Sequence, residues 1–214
     1  MPDELTFYTH PQSRGRIVRW MLEEIGQPYR TELLEYDTTM KAPAYRSINP
    51  MGKVPAIRHG DTVVTEAAAA ICAYLADAFP EARLAPPPGD HLRGPYYRWL
   101  FFVAGPLEQA WTNKAIGFVV PQERERMMGY GRFETVIDVL EAAVSRAEYV
   151  VGNGFTAADV YVGSGIGFGM QFGMIEKRPA FEQYWGRLSS RPAALRAKEI
   201  DDSLAAQQQA QPTG

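Results

Sequence analysis

The first part of the chain has two short apolar runs with one helical pattern between them. Residues 5–9 are β-branched and aromatic and predict a strand, and residues 31–36 predict a second one. Between them, apolar positions recur at helical spacing from Arg14 onward, and Gly26 predicts the C-cap of that helix. Two strands joined by a helix in this way predict a βαβ unit with parallel strands.

The next stretch predicts a hairpin followed by a helix. Val54-Pro55 begins a short apolar run, and proline is expected at the beginning of an edge strand because it cannot donate to a sheet ladder. This X-Pro bond is also a candidate for the cis form. Gly60-Asp61 separates two apolar runs and predicts a two-residue hairpin turn. Thr65-Glu66 then predicts the beginning of a helix that continues to Ala78.

The two halves of the chain differ in their patterns. A βαβ unit followed by ββα is the thioredoxin-like arrangement, so residues 1–80 are predicted to form an α/β thioredoxin-like domain. Residues 81–90 contain three consecutive prolines and predict a stiff linker. Residues 91–204 predict an all-helical domain, and residues 205–214 predict a disordered tail. The helices predicted in this half are 92–112 with an interruption at Gly105-Pro106, 122–147, 157–175, 179–188 and a shorter one at 192–200.

Composition excludes several classes of protein. The chain has 214 residues and a net charge of -3, which gives no electrostatic case for binding nucleic acid or an anionic membrane. No apolar run approaches the roughly 20 residues that a membrane span needs. A single cysteine excludes an internal disulfide framework and a Cys-x-x-Cys pair. The N-terminus lacks the basic start and apolar core of a signal peptide, so we expect a cytoplasmic protein.

The hairpin region also predicts a binding site. A backbone pair facing outward at Val54, next to a helix N-terminus at Glu66-Ala67, suits a small charged peptide, because strand-like bonds and a helix dipole can hold its main chain and carboxylate. Lys53-Val54-Pro55 and Thr65-Glu66 resemble, in register, the glutathione site of the glutathione transferases. The proline-rich linker, the helical second half and the Gly154–Asp159 phrase extend this resemblance over nearly the whole chain.

The resemblance implies a fold and candidate catalytic residues. The fold is a thioredoxin-like N-terminal domain followed by an all-α C-terminal domain. Ser13 matches the serine that stabilises the glutathione thiolate, and Tyr8 matches the tyrosine that does so in other classes; both alternatives stay open. Arg14 is a further candidate near the thiolate. Cysteine-using classes need a thiol near residue 13, and Cys72 instead predicts an inert core residue.

The same resemblance implies binding residues. Glu66 would accept the ammonium of the γ-glutamyl group, and Lys53 would pair with the glycyl carboxylate. Position 67 is Ala where much of the family has Ser, so only the backbone N–H would remain to bind the γ-glutamyl carboxylate. Val54 and Pro55 would present the backbone pair to the peptide. The candidates for an electrophile site between the domains are Pro11, Phe102 and Trp111.

The function implied is that of a glutathione transferase, in which the glutathione thiolate attacks a small hydrophobic electrophile. Glutathione would be the co-substrate, no metal is expected, and the protein would be a homodimer active in detoxification. Conjugation, peroxide reduction, isomerisation and reductive dehalogenation all remain open. Because position 67 is Ala rather than Ser, an alternative also remains open, namely a non-catalytic glutathione-binding or regulatory protein of the same fold.

Two further motifs have structural interpretations. Thr156 and Asp159 resemble a capping box, with Asp in place of the usual Glu or Gln. Residues 163–169 are rich in glycine but fail the G-x-G-x-x-G spacing and follow no predicted strand, so they do not indicate a nucleotide site. Small residues in a buried helix instead predict close packing with neighbouring helices.

Overall fold

A computed structural model of the protein describes residues 4–210, which fold as two compact units. The first unit comprises the chain up to Ala82 and again from Arg191 onward, and the second comprises Arg83–Ser190. The C-terminal segment therefore packs with the sheet-containing unit, and this departs from the prediction that residues 91–204 form one domain. The helical pattern of the last segment identifies a helix but does not say which partner it packs against.

The first unit contains a four-stranded mixed sheet in the order β2-β1-β3-β4. The strands are β1 (Leu5–Thr9), β2 (Arg30–Leu33), β3 (Ala56–His59) and β4 (Thr62–Thr65). Strands β1 and β2 are parallel, whereas β3 is antiparallel to both β1 and β4. The βαβ unit and the hairpin are therefore confirmed, and with them the thioredoxin-like arrangement. Strand β2 ends at Leu33, three residues before the end that its apolar pattern predicted.

The α-helices lie in approximately the predicted places, with differences at their ends. They are α1 (Gly15–Ile25), α2 (Pro43–Arg46), α3 (Ala68–Ala78), α4 (Arg93–Phe102), α5 (Glu108–Ala115), α6 (Phe133–Arg146), α7 (Ala157–Gln171), α8 (Pro179–Ser189) and α9 (Pro192–Ala210). Gly26 caps α1 in a left-handed conformation, as predicted. A π-helical turn, Val103–Leu107, joins α4 to α5 and contains Pro106, which confirms the predicted interruption.

Two predictions about the helices are wrong. Residues 122–147 do not form one helix, because a 3₁₀ segment, Gln122–Met127, precedes α6, and Gly131 between them adopts a left-handed φ of 66°. Residues 205–210, predicted to be disordered, belong to α9, which is a 19-residue helix rather than a short one. Its polar composition suggested disorder, but the helix packs against α1 and its Gln208 side chain bonds to Glu35. Residues 211–214 lie outside the described residues.

In the second unit, the capping box and the glycine-rich run both have packing roles. The Asp159 carboxylate accepts hydrogen bonds from the backbone N–H of Thr156 and Val150 and from the Tyr184 hydroxyl. Burial raises the pKa of Asp159, and these bonds oppose the rise. A Cβ added at Gly167 would lie 2.8 Å from the Trp185 ring. The prediction that these glycines allow neighbouring elements to approach α7 closely is confirmed.

Candidate functional site

One end of the sheet brings together the predicted binding segments. In the strand register Tyr8 lies opposite Ala56, and Ala56 lies opposite Thr65. The loop after β1, the chain before β3 and the residues after β4 therefore leave the sheet at the same end. Helix α1 also begins there, so its N-terminal N–H groups lie at this end of the sheet.

The segment before β3 is held by buried side chains. The Val54–Pro55 peptide bond is cis, which confirms that prediction. The carbonyl of Lys53 accepts hydrogen bonds from the Tyr45 hydroxyl at 2.6 Å and from Asn49 Nδ2 at 2.7 Å. Asn49 is fully buried, and its Oδ1 accepts the Met51 N–H at 3.0 Å. The backbone before Pro55 is therefore fixed from one side by two neutral donors.

Sequence reasoning assigned no role to Tyr45 or Asn49. The available signal was the turn-forming order Asn49-Pro50-Met51-Gly52, in which an asparagine side chain can bond to the backbone two residues on. Gly52 has a φ of 56°, and a Cβ there would lie 2.8 Å from the Met40 carbonyl oxygen. The turn therefore requires glycine at position 52.

Tyr8 packs as a core residue at the end of β1. Its side chain is 8% exposed and lies in a cluster with Met40, Tyr45 and Ala56. The Tyr8 and Tyr45 rings have centroids 5.6 Å apart. Burial raises the pKa of Tyr45 to about 12, so its hydroxyl remains protonated and keeps donating to Lys53.

Glu66 carries an unusual carboxylate at the end of β4. Its φ is 36°, a left-handed value that is uncommon for a residue other than glycine. Its Oε2 is buried and has no hydrogen-bond partner among residues 4–210. A buried carboxylate oxygen without a partner is costly, and an ammonium group from a ligand would satisfy it.

The backbone at Ala67 does not belong to the helix that was predicted to begin at Thr65-Glu66. Its N–H donates to the carbonyl of Thr65, and α3 begins one residue later, at Ala68, rather than at Glu66. The positive φ of Glu66 turns the chain before the helix, which no helical propensity could show. A ligand carboxylate at Ala67 would have to compete with this turn, whereas the first N–H groups of α3 have no intrahelical partner.

Ser13 occupies the turn that begins α1. Its hydroxyl donates to the His10 carbonyl at 2.7 Å and accepts the Gly15 N–H at 2.9 Å. The serine thus bonds within the turn, whereas the N-cap of α1 is Arg14, which has no side-chain cap bond to that helix. The acceptor bond from Gly15 is compatible with donation to a ligand, because rotation of the hydroxyl hydrogen away from His10 would leave it in place.

His10 stabilises the same loop, although the sequence gave it no motif. It is buried, and its Nδ1 accepts the Gln12 N–H at 3.1 Å. Its ring lies 4.5 Å from that of Tyr36, and its Nε2 lies 3.8 Å from a Glu35 carboxylate oxygen. Burial lowers the pKa of His10, and Glu35 opposes the shift. A neutral imidazole accepting at Nδ1 is therefore favoured.

The other candidate site residues predicted from the sequence lie in exposed positions, in buried positions or in the second unit. Lys53 and Arg14 are exposed, and Arg14 opposes the rise that burial produces in the Tyr36 pKa. Pro11 is buried, and its carbonyl accepts Arg16 Nε at 2.6 Å. Phe102 and Trp111 belong to the second unit.

In that unit, the ring of Phe102 lies 5.3 Å from that of Trp99. Trp111 is buried on α5, and a Cβ added at Gly165 of α7 would lie 3.8 Å from its ring. Trp111 is thus a core residue of the helical unit. Cys72 of the first unit is also fully buried, and burial raises its pKa to about 12, as expected for an unreactive thiol.

Within residues 4–210, no group of three or more His, Cys, Asp or Glu side chains is arranged to hold a metal ion. Over the same residues, no helix has the length and apolarity required to cross a membrane.

Comparison with known sequences identifies the family. The family of glutathione S-transferase N-terminal domains matches residues 13–78. The glutathione S-transferase-like protein tpcF of Aspergillus fumigatus is 32% identical over 156 residues, which cover 68% of each chain. The chain belongs to the glutathione S-transferase family. Glutathione S-transferase 1 of Schizosaccharomyces pombe is 28% identical over 163 residues, which cover 72% of this chain and 69% of the yeast protein.

Solved structures of glutathione transferases share the fold. The enzyme URE2P6 of Phanerochaete chrysosporium, in complex with oxidised glutathione, has a TM-score of 0.78 and 28% identity, with 94% of this chain and 98% of that chain covered. A glutathione transferase of Methylococcus capsulatus has a TM-score of 0.76 and 25% identity, over 92% and 98% of the two chains. The thioredoxin-like and helical parts are thus those of the glutathione transferase fold.

Proposed function

We propose that this glutathione transferase family member binds glutathione at the sheet end described above and uses its thiolate to attack a small hydrophobic electrophile. The observation that carries the proposal is the buried Oε2 of Glu66, which lacks a partner among the described residues. It lies at the end of the sheet that also holds the cis Val54–Pro55 bond and the start of α1. An anionic acceptor beside a fixed backbone suits the charged end of a peptide.

The peptide would be oriented by three groups. Glu66 would accept the γ-glutamyl ammonium, which supplies the bond that Oε2 lacks. The backbone of Val54 would pair with the central residue of glutathione, since Tyr45 and Asn49 hold the preceding carbonyl in place. Lys53, whose side chain is exposed, would reach the glycyl carboxylate.

The chemistry would depend on lowering the pKa of the glutathione thiol from about 8.5. Ser13 is the favoured donor, because its hydroxyl lies at the N-terminus of α1 and can turn from the His10 carbonyl to a thiolate. Tyr8 is less favoured because it packs against Tyr45 in the core. The thiol proton would pass to solvent, and the sulfur would then form a bond to the electrophilic atom while any leaving group departs.

The proposed electrophile contacts, reaction type, cellular location and oligomeric state are taken from the family resemblance. Pro11, Phe102 and Trp111 remain the proposed electrophile contacts, with Arg14 near the thiolate. Conjugation is the proposed reaction, with peroxide reduction, isomerisation and dehalogenation as variants. We also propose a cytoplasmic homodimer that takes part in detoxification.

A non-catalytic glutathione-binding protein is the second candidate, and the geometry of Ala67 favours it. Position 67 carries no hydroxyl, and its N–H already donates to Thr65. Weak binding of the γ-glutamyl carboxylate would follow. A carrier or regulator would then bind glutathione without shifting the pKa of its thiol.

Calorimetric titration with glutathione, followed by the ultraviolet thiolate absorbance of the complex across pH, separates these candidates. We expect binding with a thiol pKa at least about one unit below that of free glutathione. Glu66→Gln should weaken binding about tenfold, because a neutral amide oxygen can accept from the ammonium but lacks the charge of the carboxylate. Glu182→Gln, on the surface of the helical unit, is the matched control. Binding with an unshifted thiol would favour the carrier, and no binding at millimolar glutathione would refute both.

A further inference from the structure

The C-terminal helix α9 is attached to α1 by a series of charged pairs. These pairs, all within the first unit, are Arg191–Glu24, in which Arg191 immediately precedes α9, and Arg196–Glu23, Asp201–Arg19 and Asp202–Arg16. Their order along α9 is the reverse of their order along α1, so the two helices are antiparallel. The distal part of α9 therefore lies beside the beginning of α1, where the loop that carries Ser13 ends.

The last pair also contacts this loop directly. Arg16 Nη1 lies 2.8 Å from Asp202 Oδ1, while Arg16 Nε donates to the Pro11 carbonyl at 2.6 Å. A guanidinium holds its N–H groups in one rigid plane. Because Asp202 fixes one edge of that plane, it also directs the other N–H at Pro11.

Pro11 is adjacent to the residue that orients the serine hydroxyl. The His10 carbonyl, one residue before Pro11, accepts the Ser13 hydroxyl at 2.7 Å. The His10 side chain holds the Gln12 N–H, one residue after Pro11. A displacement of the Pro11 carbonyl would therefore be transmitted to both the acceptor of Ser13 and the backbone that precedes it.

We propose that Arg16 and Asp202 are positioning residues, through which the C-terminal helix sets the geometry of the loop His10–Ser13. This inference rests on the proposed function where it concerns the thiolate, because the loop would carry the thiolate donor. Neither side chain is assigned a contact with glutathione. Their effect would pass through the Pro11 carbonyl to the Ser13 hydroxyl.

The surroundings of the Arg16–Asp202 pair indicate that its electrostatic attraction is weak. The Asp202 side chain is 45% exposed and also bonds to Lys198 at 2.6 Å, so solvent and salt weaken its attraction for Arg16. The neighbouring Arg19–Asp201 pair is buried and keeps α9 attached to α1 when Asp202 is changed. Loss of Asp202 should therefore loosen the loop without detaching the helix.

Hydrogen exchange of the full-length protein tests the contact without any ligand. In Asp202→Asn and Arg16→Met, we expect the amides of Gln12 and Gly15 to exchange about fivefold faster than in the wild type, as expected from the loss of a partly exposed ion pair. The double variant should exchange no faster than Arg16→Met, because Asp202 acts through Arg16.

Arg196→Ala is the matched control. It removes another ion pair between α9 and α1, with Glu23, far from the loop. Exchange at Gln12 and Gly15 should be the same in this variant as in the wild type. Equal acceleration in Arg196→Ala and Asp202→Asn would mean that any loosening of α9 has this effect, and would overturn the inference.

The thiolate absorbance of the glutathione complex supplies the second readout. The pKa of the bound thiol should rise toward the free value in Asp202→Asn and Arg16→Met and stay unchanged in Arg196→Ala. Unchanged exchange in the two loop variants overturns the inference, and so does faster exchange with an unshifted thiol. A wild-type protein that fails to bind glutathione, with the exchange pattern as expected, overturns the proposed function and leaves the contact established.

Discussion

The two flanks of the candidate site differ in how they are held. The β3 flank, residues 53–55, is fixed by Tyr45 and Asn49, which are close in sequence and act through neutral hydrogen bonds. The β1 flank, residues 10–13, is tied through Arg16 to Asp202, a distant and partly exposed carboxylate. Neutral buried bonds resist pH and salt, whereas exposed charge pairs do not. The flank proposed to bind the peptide should therefore be rigid, and the flank that carries the proposed donor should be adjustable.

The largest expected effect comes from Arg19→Met, which removes the buried link between α1 and α9. Arg19 and Asp201 have side chains only 2% and 1% exposed. Without Arg19, the buried Asp201 carboxylate would lose its hydrogen-bonded charge partner, so we expect a loss of about 3–5 kcal/mol in the free energy of unfolding. Urea denaturation would measure it.

The double variant Arg19→Met/Asp201→Leu provides the control for that experiment. Removing both charges should recover most of the loss, since the cost lies in the unpaired carboxylate. Burial already raises the pKa of Asp201, and Arg19 opposes this rise. In Arg19→Met the native state would hold the proton more strongly than the unfolded state, so stability should fall as pH rises. A loss independent of pH would contradict this account.

Asn49→Ala breaks the β3 flank and should have the next largest effect. The Met51 N–H loses its acceptor and the Lys53 carbonyl loses one donor, which should cost about 2–3 kcal/mol of stability in urea denaturation. Asn113→Ala, which loses a single bond to Tyr130 in the other unit, should cost only about 1 kcal/mol. Equal costs would show that Asn49 is not a central support of this flank.

Ser13→Ala and Tyr8→Phe test which hydroxyl of the β1 flank stabilises the thiolate. We expect Ser13→Ala to lower kcat about 10²-fold in a conjugation assay, with little change in glutathione affinity, because it removes the donor but not the binding groups. Tyr8→Phe should change kcat less than about threefold, since it keeps the packed ring. The reverse order would identify Tyr8 as the donor. No effect in either would leave the N–H groups of α1 or Arg14 as the stabilising charge.

Acid should produce the smallest effect, and only on the β1 flank. The hydrogen bond from Lys198, and then that from Arg16, hold the pKa of Asp202 below its ordinary value of 3.8. Because this pKa is lowered by folding, the stabilisation is present above about pH 4 and is lost as pH falls through the lower native value. The amide shift of Gln12, relative to that in Asp202→Asn, should change in this window while that of Met51 does not. An equal change in the amide shift of Met51 over the same pH range would contradict the expected difference between the two flanks.

Much of the fold could be predicted because its signals are local. Alternation, helical spacing and the turn at Gly60-Asp61 correctly predicted the parallel βαβ unit, the hairpin and the helix α1. The cis Val54–Pro55 bond and the interruption at Pro106 were predicted for the same reason, since proline restricts its own backbone. Gly131, by contrast, broke a predicted helix through a conformation that side-chain periodicity does not record.

For the candidate site, the sequence offered candidate residues but not their geometry. The resemblance to glutathione transferases named Ser13 and Glu66, yet the left-handed turn at Glu66 and the occupied N–H of Ala67 appeared only in the structure. Asn49 was assigned no role from the sequence, and its two bonds depend on how the turn folds back on Lys53. Hydrogen-bond partners depend on distances that a local pattern does not contain.

The sequence by itself indicated the element order, the family and the residues proposed to bind glutathione, because each depends on residue type and spacing along the chain. Tertiary structure alone decided that α9 continues to Ala210, that it lies against α1, and that Asp202 meets Arg16 beside the Ser13 loop. The Lys198–Asp202 pair follows a local i,i+4 pattern within α9. Arg196, Asp201 and Asp202 acquire their partners on α1 only when that helix, far away in the sequence, is brought beside them.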